Sequence, residues 1–330
     1  MYGWSCAMTR IAVVALGGNA IIRAGQAGTH SEQAANARSM ARAICELRDA
    51  GWVVVVVHGN GPQVGNLAIQ QHEAAEEVPA LPLFVQGAMT QGQLGTLLVL
   101  ALHEVVAEAP RAVLAMVTHV VVDEADPAFG RPTKPIGPFF AKDEADRLAA
   151  ERGWTIVEDS GRGYRQIVAS PAPRRILEID AVRTLVDQGM IVVTCGGGGV
   201  PVVENPDGYH GVDGVIDKDL TARLVATELG AEALVLITDI DRVALDFGTD
   251  RQRAILDMGV EDAQRHHDEG QFPPGSMGPK MAAAIEFVRH GGRVAVITDV
   301  AHVRASLDPG HRGEAGTRIL AAHSPIGAGL

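Results

Sequence analysis

The sequence predicts an α/β fold built on an open, mainly parallel sheet, on three observations. Short apolar runs rich in β-branched residues recur at residues 11–16, 52–57, 191–194, 233–237 and 294–297, the pattern of strands buried on both faces. Stretches with apolar residues at helical spacing lie between them. Several runs end in Gly, Asn or Asp turns, and in open α/β sheets ligands bind beyond the carboxyl ends of the strands.

In chain order, residues 11–16 run into Gly17-Gly18-Asn19-Ala20. Two glycines let backbone N–H groups approach an anion with no Cβ in the way; a plain strand-end turn is the alternative. Thr29 and Glu32 have capping-box spacing, and Met40, Ile44 and Leu47 give the following helix a buried stripe up to Gly51. The run at 52–57 holds five consecutive valines and ends in His58-Gly59-Asn60-Gly61-Pro62-Gln63. Two such turns at two strand ends can line one crevice. His58 invites a general-base role, although a histidine at a strand end is more often structural. Residues 78–108 place Gly87, Gly92 and Gly95 before Leu97, Leu98, Leu100, Ala101 and Leu102, a mostly buried helix suited to the core or to a subunit interface. Residues 112–117 are expected as a third central strand.

From residue 118 to about 170 the character changes. Asp123, Asp126-Pro127, Pro132, Pro135 and Pro138 punctuate the chain, and a helix at 142–152 precedes more strand-like sequence. Pro at this density breaks helix and central strand alike, so this part reads as an excursion from the main sheet, a lid or small subdomain. Within it Pro132-Thr133-Lys134-Pro135 holds a lysine on stiffened backbone. Such a lysine can close over a phosphate and exclude water; a rigid exposed turn is the alternative. Residues 175–187 are helical in pattern. Cys195-Gly196-Gly197-Gly198-Gly199 is not a P-loop, because no Gly-Lys-Ser/Thr follows. Thr238-Asp239-Ile240-Asp241 sets two carboxylates at a strand end, able to hold Mg²⁺ through water or to cap the next turn. The stretch Pro273-Pro274-Gly275-Ser276-Met277-Gly278-Pro279-Lys280 opens a helix at 281–289, and Thr298-Asp299 follows the last clear strand. No solenoid period or low-complexity tract is present.

The chain of 330 residues, 47% hydrophobic and 21% charged, has the composition of an ordinary globular protein and buries an ample core. A net charge of -12 argues against nucleic acid, whose binders carry basic patches. Cys6, Cys45 and Cys195 are odd in number and widely spaced, which suggests neither a disulfide framework nor a metal site and fits a reducing cytoplasm. Residues 1–10 read as a short disordered leader, without the apolar stretch of a signal peptide, and no run is long enough to span a membrane.

Lys134, Lys142, Lys218 and Lys280 are the only lysines, while arginine carries the rest of the basic charge. The two are not equivalent where a compact point charge must approach one oxygen. Lys142 stands in Ala141-Lys142-Asp143-Glu144, a charged helix start, and reads as solvated. Lys218 stands in Val215-Ile216-Asp217-Lys218-Asp219 at the start of a helix marked by Leu220, Leu224, Val225 and Leu229, capped by Asp217 and stopped by Gly230. A cation at a helix N-terminus is disfavoured unless an anion is bound there; a surface ion pair is the other reading. Lys280 is placed in the same way, and two lysines at two helix starts point to a polyphosphate and to phosphoryl transfer.

Ala15-Leu16-Gly17-Gly18-Asn19-Ala20, His58-Gly59-Asn60-Gly61-Pro62-Gln63, Pro132-Thr133-Lys134-Pro135-Ile136-Gly137-Pro138, Ile216-Asp217-Lys218-Asp219 and Gly275-Ser276-Met277-Gly278-Pro279-Lys280 together resemble the carbamate kinase branch of the amino acid kinase superfamily, from about Ile11 to Leu320. The resemblance implies about eight mainly parallel strands between helix layers, a protruding lid near 118–168, and a homodimer. It also implies an acceptor-binding part at about 11–195 and a nucleotide-binding part at about 196–330. Gly17, Gly18, Asn19, Gly59 and Asn60 would hold the acceptor and the transferred phosphoryl, with Lys134 capping them from the lid. Lys218, Asp219 and Lys280 would act on the phosphates of ATP or ADP with Mg²⁺, and Thr238, Asp239 and Met277 would complete the nucleotide site. Asp219 would hold Lys218 and Lys280 apart and aimed. Carbamate is already an anionic nucleophile, so the reaction needs alignment and charge neutralisation rather than a general base, and His58 loses that role. Relatives elsewhere in the superfamily carry a catalytic lysine where Ala15 stands, and Lys218 is the candidate to replace its charge.

Three positions depart from the family pattern: Phe84 where aspartate is expected, Thr96 where tyrosine is usual, and Ala244 where an aromatic often lies near the adenine. They leave open another small carbamate or carboxylate as acceptor. A nucleotide-binding sensor without catalysis is a further alternative, opposed by the retention of three site lysines in a lysine-poor chain.

Overall fold

The computed structural model describes residues 10–17, 21–23, 25–105, 113–159, 161–273, 275–308, 310 and 315–321. The expected leader, residues 1–10, lies outside them except for Arg10.

Strand β1 (Ile11–Leu16) is followed by helix α1 (His30–Asp49) and strand β2 (Val53–His58). The α1 start is the predicted capping box: the Thr29 side chain accepts from the Glu32 N–H while the Glu32 carboxylate accepts from the Thr29 N–H. Helices α2 (Gly61–Glu73) and α3 (Leu83–Val105) lead to strands β3 (Val113–Ala115) and β4 (His119–Val121). Then come β5 (Lys134–Phe140), α4 (Lys142–Arg152), β6 (Ile156–Glu158), β7 (Tyr164–Val168), β8 (Arg175–Ile176), α5 (Ile179–Asp187) and β9 (Ile191–Val193). The last part holds β10 (Val200–Asn205), β11 (Gly208–Gly211), α6 (Lys218–Leu229), β12 (Ala233–Ile237), β13 (Ala244–Leu245), β14 (Arg253–Ala254), β15 (Asp257–Gly259), α7 (Val260–Asp268), α8 (Met277–Arg289), β16 (Val294–Thr298), α9 (Val303–Leu307) and β17 (Thr317–Leu320).

Eight strands form the main sheet in the order β15-β17-β16-β12-β1-β2-β9-β3. Every neighbouring pair is parallel except β16 with β17. The period-two alternation of a strand distributes its side chains over two cores. Val13, Ala15, Val55 and Val57 pack with residues of α5, α6, α7 and α8. Ala12, Val14, Leu16, Val54 and Val56 pack with α1 and α3 on the other side. Both faces are therefore dry, as the unbroken apolar runs require.

Four expectations change. Residues 112–117 supply β3, a three-residue strand at the sheet edge rather than a central one. Its run carries no polar residue to mark an edge, and its exposed end, with Val117 48% accessible, runs out of the sheet. The excursion at 118–170 divides in two: β4 joins a second sheet of order β11-β10-β4-β8, while β5, β7 and β6 form an antiparallel sheet with α4 packed on it. Helix formation begins at Ile179 rather than Arg175, because Arg175 and Ile176 pair with β4 and Ile176 is buried. Helix α8 starts at Met277 rather than Met281; Gly278 and Pro279 fit a first turn, where a helix has no use for the N–H that Pro lacks.

The β5–β7–β6 sheet is a lid docked on α2. There Gly65 and Gly137 meet backbone to backbone: a Cβ on Gly65 would lie 2.0 Å from the Gly137 Cα, and Gly137 itself has φ +73°. No other residue fits at Gly65 without displacing the lid strand.

Candidate active site

The carboxyl ends of β1, β2 and β12, neighbours at the centre of the sheet, open into a cleft of about 330 Å³ roofed by the lid. Gly17, Gly59, Asn60, Lys134, Lys218, Asp219, Thr238, Asp239, Met277 and Lys280 all line it. Gly18 and Asn19 lie outside the described residues. Residues drawn from six separated stretches of sequence thus face one space.

Each is there for a local reason. Gly17 follows β1, and the Gly59 N–H donates to the Leu16 carbonyl at 2.9 Å, tying the two strand-end turns together. Asn60 precedes α2 but does not cap it with its side chain; its amide donates to Thr90 Oγ1 of α3 at 2.8 Å. Gly196 and Gly197 pack against this turn: a Cβ on Gly196 would meet the His58 ring at 2.3 Å, and one on Gly197 the Asn60 side chain at 2.2 Å. His58 is buried, and its Nδ1–H donates to the Gly59 carbonyl at 3.1 Å. Burial lowers its pKa to about 4, and it does not line the cleft. Its role is to shape the turn.

Helix α6 begins as predicted. The Asp217 Oδ1 accepts from the Asp219 N–H at 2.8 Å, and Gly230 ends the helix with φ +65°. Lys218 is not on the surface: it is 8% exposed, and its Nζ donates to Asp219 Oδ1 at 2.6 Å. Lys280 reaches the other oxygen of the same carboxylate at 3.1 Å. Burial, with Lys280 as a neighbouring like charge, holds the Lys218 pKa below its ordinary value despite Asp219. Burial opposes the Lys280 charge too, but Asp219, with Asp217 and Asp239, leaves its pKa raised. Burial alone would raise the Asp219 pKa, yet the two lysines hold it well below the carboxylate range. One carboxylate is thus shared by two lysines, and all three side chains line the cleft. Lys134, the first residue of β5, donates from Nζ to Asp217 Oδ2 at 2.6 Å. Lys142 pairs with Asp146 in solvent, as its sequence context predicts.

The sequence reading missed the arginines of the lid. Arg162 and Arg165 line the cleft with Asp159. Arg165 donates from Nε to the Gly137 carbonyl at 3.1 Å and from Nη1 to Asp159 Oδ2 at 3.2 Å, and both guanidinium groups lie about 5 Å from the Phe139 ring centre. In an arginine-rich chain nothing in their spacing singled them out. The three positions that depart from the family pattern lie elsewhere. The Phe84 ring packs against Gly211, the Thr96 hydroxyl donates to the Gly92 carbonyl on an exposed face of α3, and Ala244 sits in the small β13–β14 pair; none lines the cleft.

Among the described residues no group of three His, Cys, Asp or Glu side chains is placed to hold a metal ion. No helix among them is long and apolar enough to cross a membrane.

The chain is similar to known proteins along most of its length. The model of the amino acid kinase family matches residues 10–299. A carbamate kinase of Pyrococcus horikoshii is 41% identical over 311 residues, covering 93% of this chain and 98% of its own. Among solved structures, carbamate kinase from Giardia lamblia bound to citric acid is 37% identical with a TM-score of 0.89, covering 95% of this chain and 99% of that one. The same Giardia enzyme bound to AMP-PNP gives a TM-score of 0.85 with the same identity and coverage. With relatives of this similarity along nearly the whole of its length, the chain belongs to the amino acid kinase family, in its carbamate kinase branch.

Proposed function

We infer that the protein catalyses reversible phosphoryl transfer between ATP and carbamate, as a carbamate kinase. The observation that carries this reading is the convergence of Lys134, Lys218 and Lys280, three of the four lysines in the chain, on one cleft with the Gly17 and Gly59-Asn60 turns.

In the direction of ATP synthesis, a terminal β-phosphate oxygen of ADP attacks the phosphorus of carbamoyl phosphate. The new P–O bond forms as the bond to the carbamoyl oxygen breaks, and carbamate leaves with the electron pair. No proton need move in this step, in keeping with a buried His58 whose pKa is low. Catalysis is alignment plus neutralisation of charge on the phosphoryl in flight. Gly17, Gly59 and Asn60 cradle the acceptor side, to which Gly18 and Asn19 are assigned by their place in the sequence; Lys134 covers it from the lid, and Lys218 and Lys280 draw charge from the nucleotide phosphates. Asp219 keeps those two ammonium groups apart. Thr238, Asp239 and Met277 complete the nucleotide side. An acyl phosphate is a strong phosphoryl donor, so we assign ATP formation as the working direction.

Mg²⁺ fits the site as a companion of the nucleotide, not as a resident ion: both oxygens of Asp219 are occupied by lysines, and among the described residues no three-ligand cluster surrounds it. Asp239 would reach it, directly or through water, and Mg²⁺ would neutralise phosphate charge. The division into an acceptor-binding part at 11–195 and a nucleotide-binding part at 196–330 follows from these assignments. We also assign a homodimer, supported by the apolar Met89 and Leu100 on the outer face of α3, 40% and 57% exposed, and a reducing cytoplasmic setting, supported by free buried Cys45 and Cys195. That the three departing positions lie off the cleft favours carbamate over a different acceptor.

The test is ATP formation from carbamoyl phosphate and ADP in a coupled assay. Nucleotide binding without ATP formation from carbamoyl phosphate overturns the carbamate reading. Silence with a full panel of acyl phosphates would leave a nucleotide sensor.

A further inference from the structure

Asp217 does two things with one carboxylate. Its Oδ1 caps α6 by accepting from the Asp219 N–H at 2.8 Å, and its Oδ2 accepts from Lys134 Nζ at 2.6 Å, across 83 residues of sequence and from the lid. Capping does not call for a charge: Ser, Thr or Asn serves a helix start as well as Asp does. A carboxylate here also repels Asp219 two residues on, and it is partly withdrawn from water. A neutral cap would avoid both penalties. The charge is explained by its other partner, Lys134, whose side chain is 26% exposed beside an Asp217 side chain 15% exposed. This is a half-buried pair, not a solvated surface one of little consequence.

We propose that Asp217 is a positioning residue for phosphoryl transfer: it registers the lid lysine Lys134 against the helix that presents Lys218 and Asp219, and so closes the lid at a set distance from the nucleotide side. The inference rests on the function assigned above. Through the backbone of 217–219, Lys134 is referred to the same short segment that holds Lys218 and, through Asp219, Lys280. In-line transfer between acceptor and nucleotide depends on that registry, since misplacement by about 1 Å costs about a hundredfold in rate.

The experiment compares the wild type, D217N, K134A and the double variant in full-length protein. Asn keeps the cap and removes the ion pair. D217N is expected to melt with the wild type, to lose about tenfold or more in kcat, and to exchange β5 and β7 amide hydrogens faster in the ligand-free state. On the K134A background the D217N change is expected to alter kcat by less than about twofold, because the two residues act as one unit. A wild-type kcat in D217N, or a loss that persists in full on the K134A background, overturns the proposal. Should D217N fail to fold, D217S provides a second neutral cap, and K134A alone must accelerate lid exchange; unchanged exchange in K134A also overturns it. A wild type inactive on carbamoyl phosphate would defeat the functional reading instead, and the exchange comparison would still decide the latch.

Discussion

Gly65 of α2 and Gly137 of β5 cross at backbone contact, so that a Cβ on Gly65 would lie 2.0 Å from the Gly137 Cα and N. Four residues before Gly65 stands Gly61, the first residue of α2, which lines the cleft, and three before Gly137 stands Lys134. The crossing limits how closely β5, which begins at Lys134, can approach α2.

Gly65→Ala is expected to displace β5, because the clash is with backbone and has no flexible side chain to absorb it. Overpacking of this kind costs about 1–3 kcal/mol. The variant should show faster amide exchange in β5 and β7 and a lower kcat, with α6 and β12 protected as in the wild type. Unaltered lid exchange would contradict the account.

Asp219→Asn leaves two buried ammonium groups facing each other. Breaking a buried pair by removing one partner costs about 3–5 kcal/mol. In that variant the folded-state pKa values of Lys218 and Lys280 fall below their unfolded values, so the unfolded state binds more protons and stability rises with pH. The deficit relative to the wild type is expected to shrink as the pH rises from about 8 to about 10, measured by denaturant unfolding. A deficit independent of pH would show that the two lysines are not its source.

Burial lowers the pKa of Lys218 at the start of α6. The alkaline limb of kcat/KM for the free enzyme is therefore expected at a pH below the ordinary lysine value of about 10.4. A limb at or above that value would contradict the burial assigned to Lys218.

His58 is held neutral by burial, with a folded pKa of about 4 against 6.5. Below pH 6.5 the unfolded chain takes up a proton that the folded one refuses, so stability is lost as the pH falls from 6.5 to about 4. The loss amounts to about 3 kcal/mol. His58→Gln should flatten that part of the pH–stability curve. An unchanged slope would assign the loss to other groups.

Much of this was legible in the sequence because local chemistry and tertiary role coincide. The β1 and β2 runs are apolar on both faces because both faces are covered, and the Thr29–Glu32 box and the Asp217 and Gly230 caps are satisfied by neighbours in sequence. Lysine scarcity made Lys134, Lys218 and Lys280 stand out. What was not legible depends on distant pairing. β3 reads like a central strand because its edge position is decided by β9 alone. β17 is four residues whose strand character comes from β15 and β16 on either side, with Arg318 fixed by Asp257 at 2.6 Å. Arg162 and Arg165 look like any surface arginines until the lid folds over the cleft, and the second job of Asp217 appears only when Lys134 arrives from the lid.

Lys218, buried at the start of α6 and held by Asp219, is assigned the supply of charge to the phosphoryl in flight. The most direct measurement is the initial rate of ATP formation from carbamoyl phosphate and ADP by the wild type and by Lys218→Ala, each confirmed folded. A robust wild-type rate and a loss of about 10²–10³-fold in kcat for the variant are expected; a variant turning over at the wild-type rate would remove Lys218 from the mechanism.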